Sequence, residues 1–222
     1  MIELRHVTKY FKTPRGKKYI LNNVSQVIPS HHNVGILGRN GTGKSTLLRM
    51  LGGIDFPDSG IISSQSTFSW PMALSGGFQR NMTGLQNVKF ITRIYGKTPE
   101  EIDRIIASVK EFSELKNYFY MPINTYSSGM KSRLSFALSL AFDFDYLLID
   151  ETLSVGDKNF KQKSKKALQQ KIESCNVLLV SHSMSTLKEI CDVGVVVNNG
   201  QMHYFDDISD AINEYEVINR QD

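Results

Sequence analysis

Eight residues, Gly38-Arg39-Asn40-Gly41-Thr42-Gly43-Lys44-Ser45, restrict what this chain can fold into more than any other stretch. They fit G-x-x-x-x-G-K-[ST], a loop that wraps phosphate groups. The apolar run Val34–Leu37 precedes them and TLLRMLGG follows, so the loop should join a buried strand to a helix. Glycines at these spacings let successive backbone N–H groups turn inward onto phosphate oxygens, and the helix points its positive end at the same place. Lys44 should reach the β- and γ-phosphates of a nucleotide and the Ser45 hydroxyl should hold Mg²⁺, with Thr46 beside them.

Three later apolar runs, Tyr146–Ile149, Val177–Val180 and Val193–Val197, are short, leucine-rich or β-branched, and separated by helical patterns. Buried strands alternating with helices predict a mostly parallel sheet covered on both faces. The first 30 residues show loose alternation (Ile2, Leu4; Val24, Val27) around a turn-rich TPRGKK, which predicts short strands. From about residue 83 to 142 the pattern is helical. Thr98-Pro99-Glu100-Glu101 is a capping box, and Ile102, Ile105, Ile106, Val109 and Phe112 follow at helical spacing. A second helix should open near Ser127–Ser128. The expected layout is one α/β nucleotide-binding domain over 1–222 with a helical subdomain inserted at 83–142.

Composition removes other classes. Hydrophobic residues make up 41% and charged residues 22%, which excludes disordered and fibrous chains. The apolar runs are far shorter than the ~20 residues that cross a bilayer, and MIELRHVTKYF lacks the apolar core of a secretory signal. Cys175 and Cys191 cannot alone form a disulfide framework or a zinc site. The chain reads as cytosolic. Its net charge of +4 permits an anionic partner and selects none. The lysines of residues 158–173 lie opposite Phe160, Ala167, Leu168 and Ile172, the pattern of a solvated helix face.

Further acids and bases fall at strand ends. Leu147-Leu148-Ile149-Asp150-Glu151 places Asp150 at the carboxyl edge of the sheet, suited to the magnesium shell, and Glu151 next to it, suited to orienting or deprotonating a water. Val180-Ser181-His182 repeats the arrangement with an imidazole, which is either structural or a hydrogen-bonding partner for a γ-phosphate. Ser127, Ser128 and Gly129 open a helix, either as a simple serine cap or as a second anion site.

In this order and spacing, the phosphate loop, the serine-glycine helix start, strand-Asp-Glu and strand-Ser-His resemble the ATP-binding subunits of ABC transporters over nearly the whole chain. The resemblance implies the ABC-type fold, a P-loop NTPase core with an N-terminal antiparallel β subdomain and an inserted helical subdomain. It also implies a head-to-tail homodimer holding two ATP with Mg²⁺. Ser127, Ser128 and Gly129 would then contact the γ-phosphate held by the other protomer, and Asp157 would lie in the loop crossing the interface. Phe11, or its neighbour Tyr10, would stack on adenine; the alternative for both is β-subdomain core. Gln79 is the candidate for the magnesium-sensing glutamine. The family signature is usually L-S-G-G-Q; here it is Tyr126-Ser127-Ser128-Gly129-Met130, with methionine at the glutamine position.

SGGFQRNMTGLQNVKF, GRNGTGKSTLLRMLGGID and YSSGMKSRLSFALS resemble the branch that exports capsular polysaccharide in Gram-negative bacteria, with O-antigen and teichoic-acid exporters as relatives. A chain ending at Asp222 soon after its last strand suits the capsule branch. That resemblance implies a peripheral subunit on the cytoplasmic face of the inner membrane, working with integral-membrane permease chains. The polymer would be transported but not bound by this chain, and no nucleic acid is expected. Of the large apolar side chains in residues 68–95 (Phe68, Trp70, Met72, Phe78, Met82, Phe90 and Tyr95), most are expected in the core, and the resemblance implies that some line a groove receiving a short cytoplasmic helix of the permease. Two other readings fit less well. A soluble ABC ATPase acting on DNA or ribosomes would carry a second nucleotide domain or a coiled-coil insertion. A small-metabolite P-loop kinase leaves Glu151 and the serine-glycine helix start without a task.

Overall fold

The computed structural model describes residues 1–71, 78–150 and 158–220. In chain order its elements are β1 (Ile2–Thr13), β2 (Gly16–Ile28), β3 (Val34–Leu37), α1 (Lys44–Leu51), β4 (Ser59–Ser64), α2 (Gly84–Ile94), α3 (Pro99–Ser113), α4 (Ser128–Leu140), β5 (Tyr146–Asp150), α5 (Lys158–Ile172), β6 (Asn176–Val180), α6 (Met184–Ile190), β7 (Val193–Asn198), β8 (Gln201–Phe205) and α7 (Ile208–Arg220). Two 3₁₀ helices, Lys116–Tyr120 and Ile123–Thr125, lie between α3 and α4. The chain divides into two compact units: Met1–Pro71 with Phe144–Glu151 and Cys175–Asp222, and Met72–Asp143 with Thr152–Ser174.

The first unit holds two sheets. One is antiparallel, ordered β2-β1-β4; the other is ordered β5-β6-β3-β7-β8 and is parallel except where β7 meets β8. Alternation sorts the second sheet's side chains. Val34, Ile36, Leu148, Leu178, Val180, Val193, Val195 and Val197 join one buried cluster with Ile2, Leu4, Val7 and Leu21 of the antiparallel sheet and with Leu47 and Leu48 of α1. The opposite face carries Gly35 and Gly194. A Cβ on Gly35 would sit 2.6 Å from Ile208 Cδ1, and one on Gly194 2.2 Å from Ala211 Cβ. These glycines let α7 close directly onto the sheet.

Where short strands are expected near the N-terminus, β1 and β2 run 12 and 13 residues and form one long hairpin. Their register shifts between Leu4 and Val7, Val7 and Lys9, and Lys9 and Tyr10. His6 and Asn23 take left-handed backbone (φ 50° and 54°) at these irregularities. Each bulge resets the inside-outside alternation, so the sequence period looks broken although the strands continue. Beyond the last apolar run expected as a strand, the structure adds β8 and the 13-residue α7 after β7.

In the second unit α2 and α3 both begin with capping boxes, Thr83 with Gln86 and Thr98 with Glu101. Phe112, Phe136 and Phe160 form its aromatic centre, with centroids 5.7–6.5 Å apart. Phe160 and Leu168 of α5 are buried. Two of the lysines on α5 are pinned rather than simply solvated: Lys163 donates to Glu114 Oε1 (2.7 Å) and the Phe112 carbonyl (3.1 Å), and Lys171 donates to Asp143 (2.7 Å). Among the described residues no helix is long and apolar enough to cross a membrane.

Candidate nucleotide site

Residues Gly38–Gly43 join β3, whose four residues are all buried, to α1. Gly38, Gly41 and Gly43 have φ of 154°, 77° and 107°, values that side-chain-bearing residues rarely adopt. A Cβ on Gly43 would fall 2.0 Å from Ile20 Cγ2, and one on Gly38 2.5 Å from the Val197 carbonyl. Strands β2 and β7 therefore press on the loop at Gly43 and Gly38 and leave those two positions no room for a side chain. The Thr42 hydroxyl donates to the Arg39 carbonyl (2.9 Å). Lys44, 7% exposed, donates to the carbonyls of Gly38 (2.6 Å) and Arg39 (3.0 Å), which ties the two ends of the loop together. Arg39, Asn40, Gly41 and Ser45 are exposed, Thr46 partly so.

Sheet register brings the strand ends to this loop. Val180 pairs with Ile36 on one side and with Asp150 on the other. Asp150, the end of β6 with Ser181 and His182, and the start of the loop at Gly38 thus share one edge of the sheet, the carboxyl edge where ligands of open α/β sheets sit. His182 is exposed, just before Ser183, whose hydroxyl accepts from the Thr186 N–H to start α6. A carboxylate and a hydroxyl beside a phosphate cradle fit Mg²⁺, which is typically held by one or two carboxylates together with substrate phosphates. Beside the loop opens a cavity of about 540 Å³ whose lining includes Lys18, Arg39, Asn40 and Asn199. Glu151 and Asp157 lie outside the described residues.

Phe11 is 45% exposed, so the core alternative fails for it. It pairs with Lys18 across the hairpin, while Lys9 Nζ stands 5.8 Å from its ring centroid. Lys9 is itself held by Asp55 (2.8 Å) and the Phe56 carbonyl (2.7 Å), and this ion pair holds the Asp55 carboxyl below its usual range. Tyr10 packs on Tyr19 and under Lys17 instead.

In the second unit, Ser127 caps α4, its hydroxyl accepting from the Met130 N–H (3.2 Å). Ser127 and Ser128 are exposed. A Cβ on Gly129 would meet nothing closer than Ser127 Oγ at 3.9 Å, so nothing packed around it requires glycine there. Tyr126 is buried and donates to the Tyr118 carbonyl (2.5 Å); burial pushes its phenol up to about 12, so it stays a donor at any physiological pH. A Cβ on Gly84 would strike that hydroxyl at 2.5 Å, which explains the glycine after Thr83.

Sequence reasoning missed the residue that holds Gln79. Asn87 is fully buried; its Oδ1 accepts from the Gln79 N–H (2.8 Å), and its Nδ2 is shared among the carbonyls of Gln79, Met82 and Thr83. The signal was a lone asparagine inside an amphipathic helix, where carboxamides are costly without partners. Asn87→Ala should lower unfolding stability by about 2–3 kcal/mol, because several buried backbone groups lose their partner at once; urea denaturation checks this, and a change below about 0.5 kcal/mol would mean water replaces the side chain. Of the apolar residues at 68–95, Phe68 stacks on Tyr146 and Trp70 meets Phe144 edge-on, Phe78 is buried, and Phe90 and Tyr95 are exposed; Met72 lies outside the described residues.

Comparison with known proteins identifies the family. An ABC transporter family model matches residues 21–154. The polysialic acid transport ATP-binding protein KpsT of Escherichia coli is 49% identical over 98% of this chain and 97% of its own length. The capsule polysaccharide export ATP-binding protein CtrD of Neisseria meningitidis is 45% identical over 98% of this chain and all of its own. Among solved structures, a dimeric ATP-binding cassette in a post-hydrolysis state bound to ADP and Pi superposes with a TM-score of 0.74 at 21% identity, covering 94% of this chain and 99% of that one. The chain belongs to the ABC transporter family, as one of its ATP-binding, ATP-hydrolysing proteins.

Proposed function

We propose that this chain hydrolyses ATP to drive export of a capsular polysaccharide through separate permease chains, as a peripheral subunit at the cytoplasmic face of the inner membrane. The observation that carries the substrate is the end-to-end match, at 49% and 45% identity, to chains named for polysialic acid transport and capsule polysaccharide export. Backbone N–H groups of Arg39–Thr46 and the ammonium of Lys44 bind the phosphates, and Phe11 supports the adenine. Bound Mg²⁺, held by Ser45 and Asp150 and sensed through Gln79, would neutralise charge on the phosphates. Glu151 accepts the proton of the attacking water and His182 hydrogen-bonds the γ-phosphate.

The working form is a head-to-tail homodimer in which Ser127, Ser128 and Gly129 approach the γ-phosphate of the partner's nucleotide and Asp157 lines the interface. The open space over Gly129 supports this, since glycine in a helix's first turn costs stability unless something must come close. The dimeric state of the superposed cassette agrees with it.

The test is cellular. In a strain whose own copy carries Lys44→Ala, polymer synthesis should continue, polymer should collect in the cytoplasm and the surface should become acapsular. Loss of O-antigen or another surface glycan with a normal capsule would redirect the substrate. If no surface glycan changes, the export reading fails.

A further inference from the structure

Strand β2 runs alongside the phosphate loop and brings a second lysine to it. Ile20 lies over Gly43, and two residues earlier Lys18 lies over Gly41, its Nζ 3.4 Å from where a Cβ on that glycine would stand. Lys18 is exposed, and among the described residues nothing hydrogen-bonds or ion-pairs with its ammonium. Two other lysines of the hairpin are occupied. Lys9 is held by Asp55 and the Phe56 carbonyl, and Lys17 stands 4.0 Å over the Tyr10 ring. The ladder pairs Tyr10 with Tyr19, Phe11 with Lys18 and Lys12 with Lys17 without a break. Lys17 and Lys18 therefore project from opposite faces of the hairpin, and Lys18 shares its face with Phe11.

Lys18 lines the cavity of about 540 Å³ beside the loop, together with Arg39, Asn40 and Thr42. Another wall is the two-residue turn Asn199–Gly200 between β7 and β8, where both residues have positive φ (46° and 77°), as tight hairpin turns require. The turn is tied to β2, because the Asn22 N–H donates to the Gly200 carbonyl (2.8 Å). Leu37 pairs with Val196, so the turn and the start of the loop lie at the same carboxyl edge of the sheet. All these walls belong to one compact unit. Among the described residues no carboxylate lines the cavity. The sequence from Leu4 to Ile54, which supplies β2 and the loop, contains nine Lys and Arg and no Asp or Glu. A polyanion entering here meets fixed walls and cationic side chains, with no carboxylate to repel it.

We propose that Lys18 is a further nucleotide-binding residue, a second ammonium that contacts the polyphosphate of ATP in addition to Lys44. This rests on the reading of Gly38–Ser45 as the nucleotide cradle. An ammonium on a flexible four-carbon stem can move from beside Gly41 onto a bound phosphate oxygen without disturbing the fold, because it gives up no protein partner. Lys44 differs in this respect, since its ammonium also ties the Gly38 and Arg39 carbonyls. Removing the charge of Lys18 should therefore cost binding and leave stability unchanged. The proposal needs neither the permease nor the identity of the transported polymer.

The experiment is calorimetric titration of the full chain with ATP at low and high salt, with urea denaturation of the same proteins without nucleotide. Lys18→Gln should bind ATP about 5- to 10-fold more weakly, the effect of one charge-assisted contact reduced by solvent exposure. Lys18→Glu should bind about 25- to 100-fold more weakly, the square of that factor, because the charge changes by twice as much. Lys18→Arg, which keeps the charge, should recover most of the affinity. ATP binding by the parent should fall more steeply with salt than binding by Lys18→Gln. Lys17→Gln makes the same change of charge on the opposite face and should bind ATP within about twofold of the parent. The proposal is overturned if Lys18→Gln keeps the parent's affinity. It is also overturned if Lys17→Gln loses as much, which would make the effect one of general charge, or if the loss in Lys18→Gln comes with a lower urea midpoint, which would make Lys18 structural. Lys44→Ala, titrated alongside, separates this proposal from the reading beneath it. Weak binding by Lys44→Ala with Lys18→Gln unchanged leaves the cradle standing and removes Lys18 alone, whereas parent-like binding by Lys44→Ala overturns both.

Discussion

Glu151→Gln should bind ATP as the parent does and turn it over roughly 10²–10⁴-fold more slowly, the usual contribution of a general base. Glutamine matches glutamate in size and can still hydrogen-bond a water, but it cannot accept the proton that the water must lose. The cradle itself is untouched by the change: Lys44 still ties the Gly38 and Arg39 carbonyls, and Asp150 still ends β5 at the same sheet edge as the loop. With binding intact and hydrolysis blocked, the ATP-closed state should accumulate, so gel filtration with ATP should show a dimer that the parent forms only transiently. Turnover like the parent's would remove Glu151 from the chemistry. Loss of ATP binding together with turnover would instead show that residue 151 shapes the cradle.

How much of this was legible in the sequence depended on whether the cause was local. The phosphate loop could be read because its glycines, its lysine and the flanking strand and helix are contiguous. The α4 cap at Ser127 and the box at Thr98 were readable for the same reason, since a cap is a contact across three residues. Long-range causes stayed hidden. That Gly43 must be glycine because Ile20 lies over it, or Gly194 because Ala211 does, cannot be seen without the pairing of distant elements. Strand β4 is nearly all exposed and β8 alternates polar residues, so neither offers an apolar run; pairing with β1 and β7 makes them strands. Asn87 was invisible because its partners are backbone groups of the preceding loop, and backbone has no letter in a sequence. The lysines of α5 were read as one solvated face, yet Lys163 and Lys171 find carboxylates on segments 49 and 28 residues away.

Lys44→Ala should weaken ATP binding about 10- to 100-fold, the range expected when one charge-assisted hydrogen-bonding group is removed from a polyanion site. Lys44 thus has one task seen in the structure and one that is proposed. Its ammonium donates to the carbonyls of Gly38 and Arg39, so it holds the loop in shape; the task proposed for it in addition is to bind the phosphates. Alanine removes both contacts and the charge. Leaving two carbonyls without this donor should cost the folded protein about 1–2 kcal/mol, read as a lower urea midpoint. The binding defect shows in linkage. At ATP a hundredfold above the parent's Kd, the parent gains about 2.7 kcal/mol of stability from the ligand; a variant bound 30-fold more weakly gains only about 0.9 kcal/mol at the same concentration. Lys44→Met separates the two tasks further, since it fills much of the volume without charge and should show the same loss of ATP-dependent stabilisation. If either variant keeps the full ligand-induced shift, the charge at position 44 is not what holds the phosphates, and the reading of Gly38–Ser45 as the nucleotide cradle falls with it.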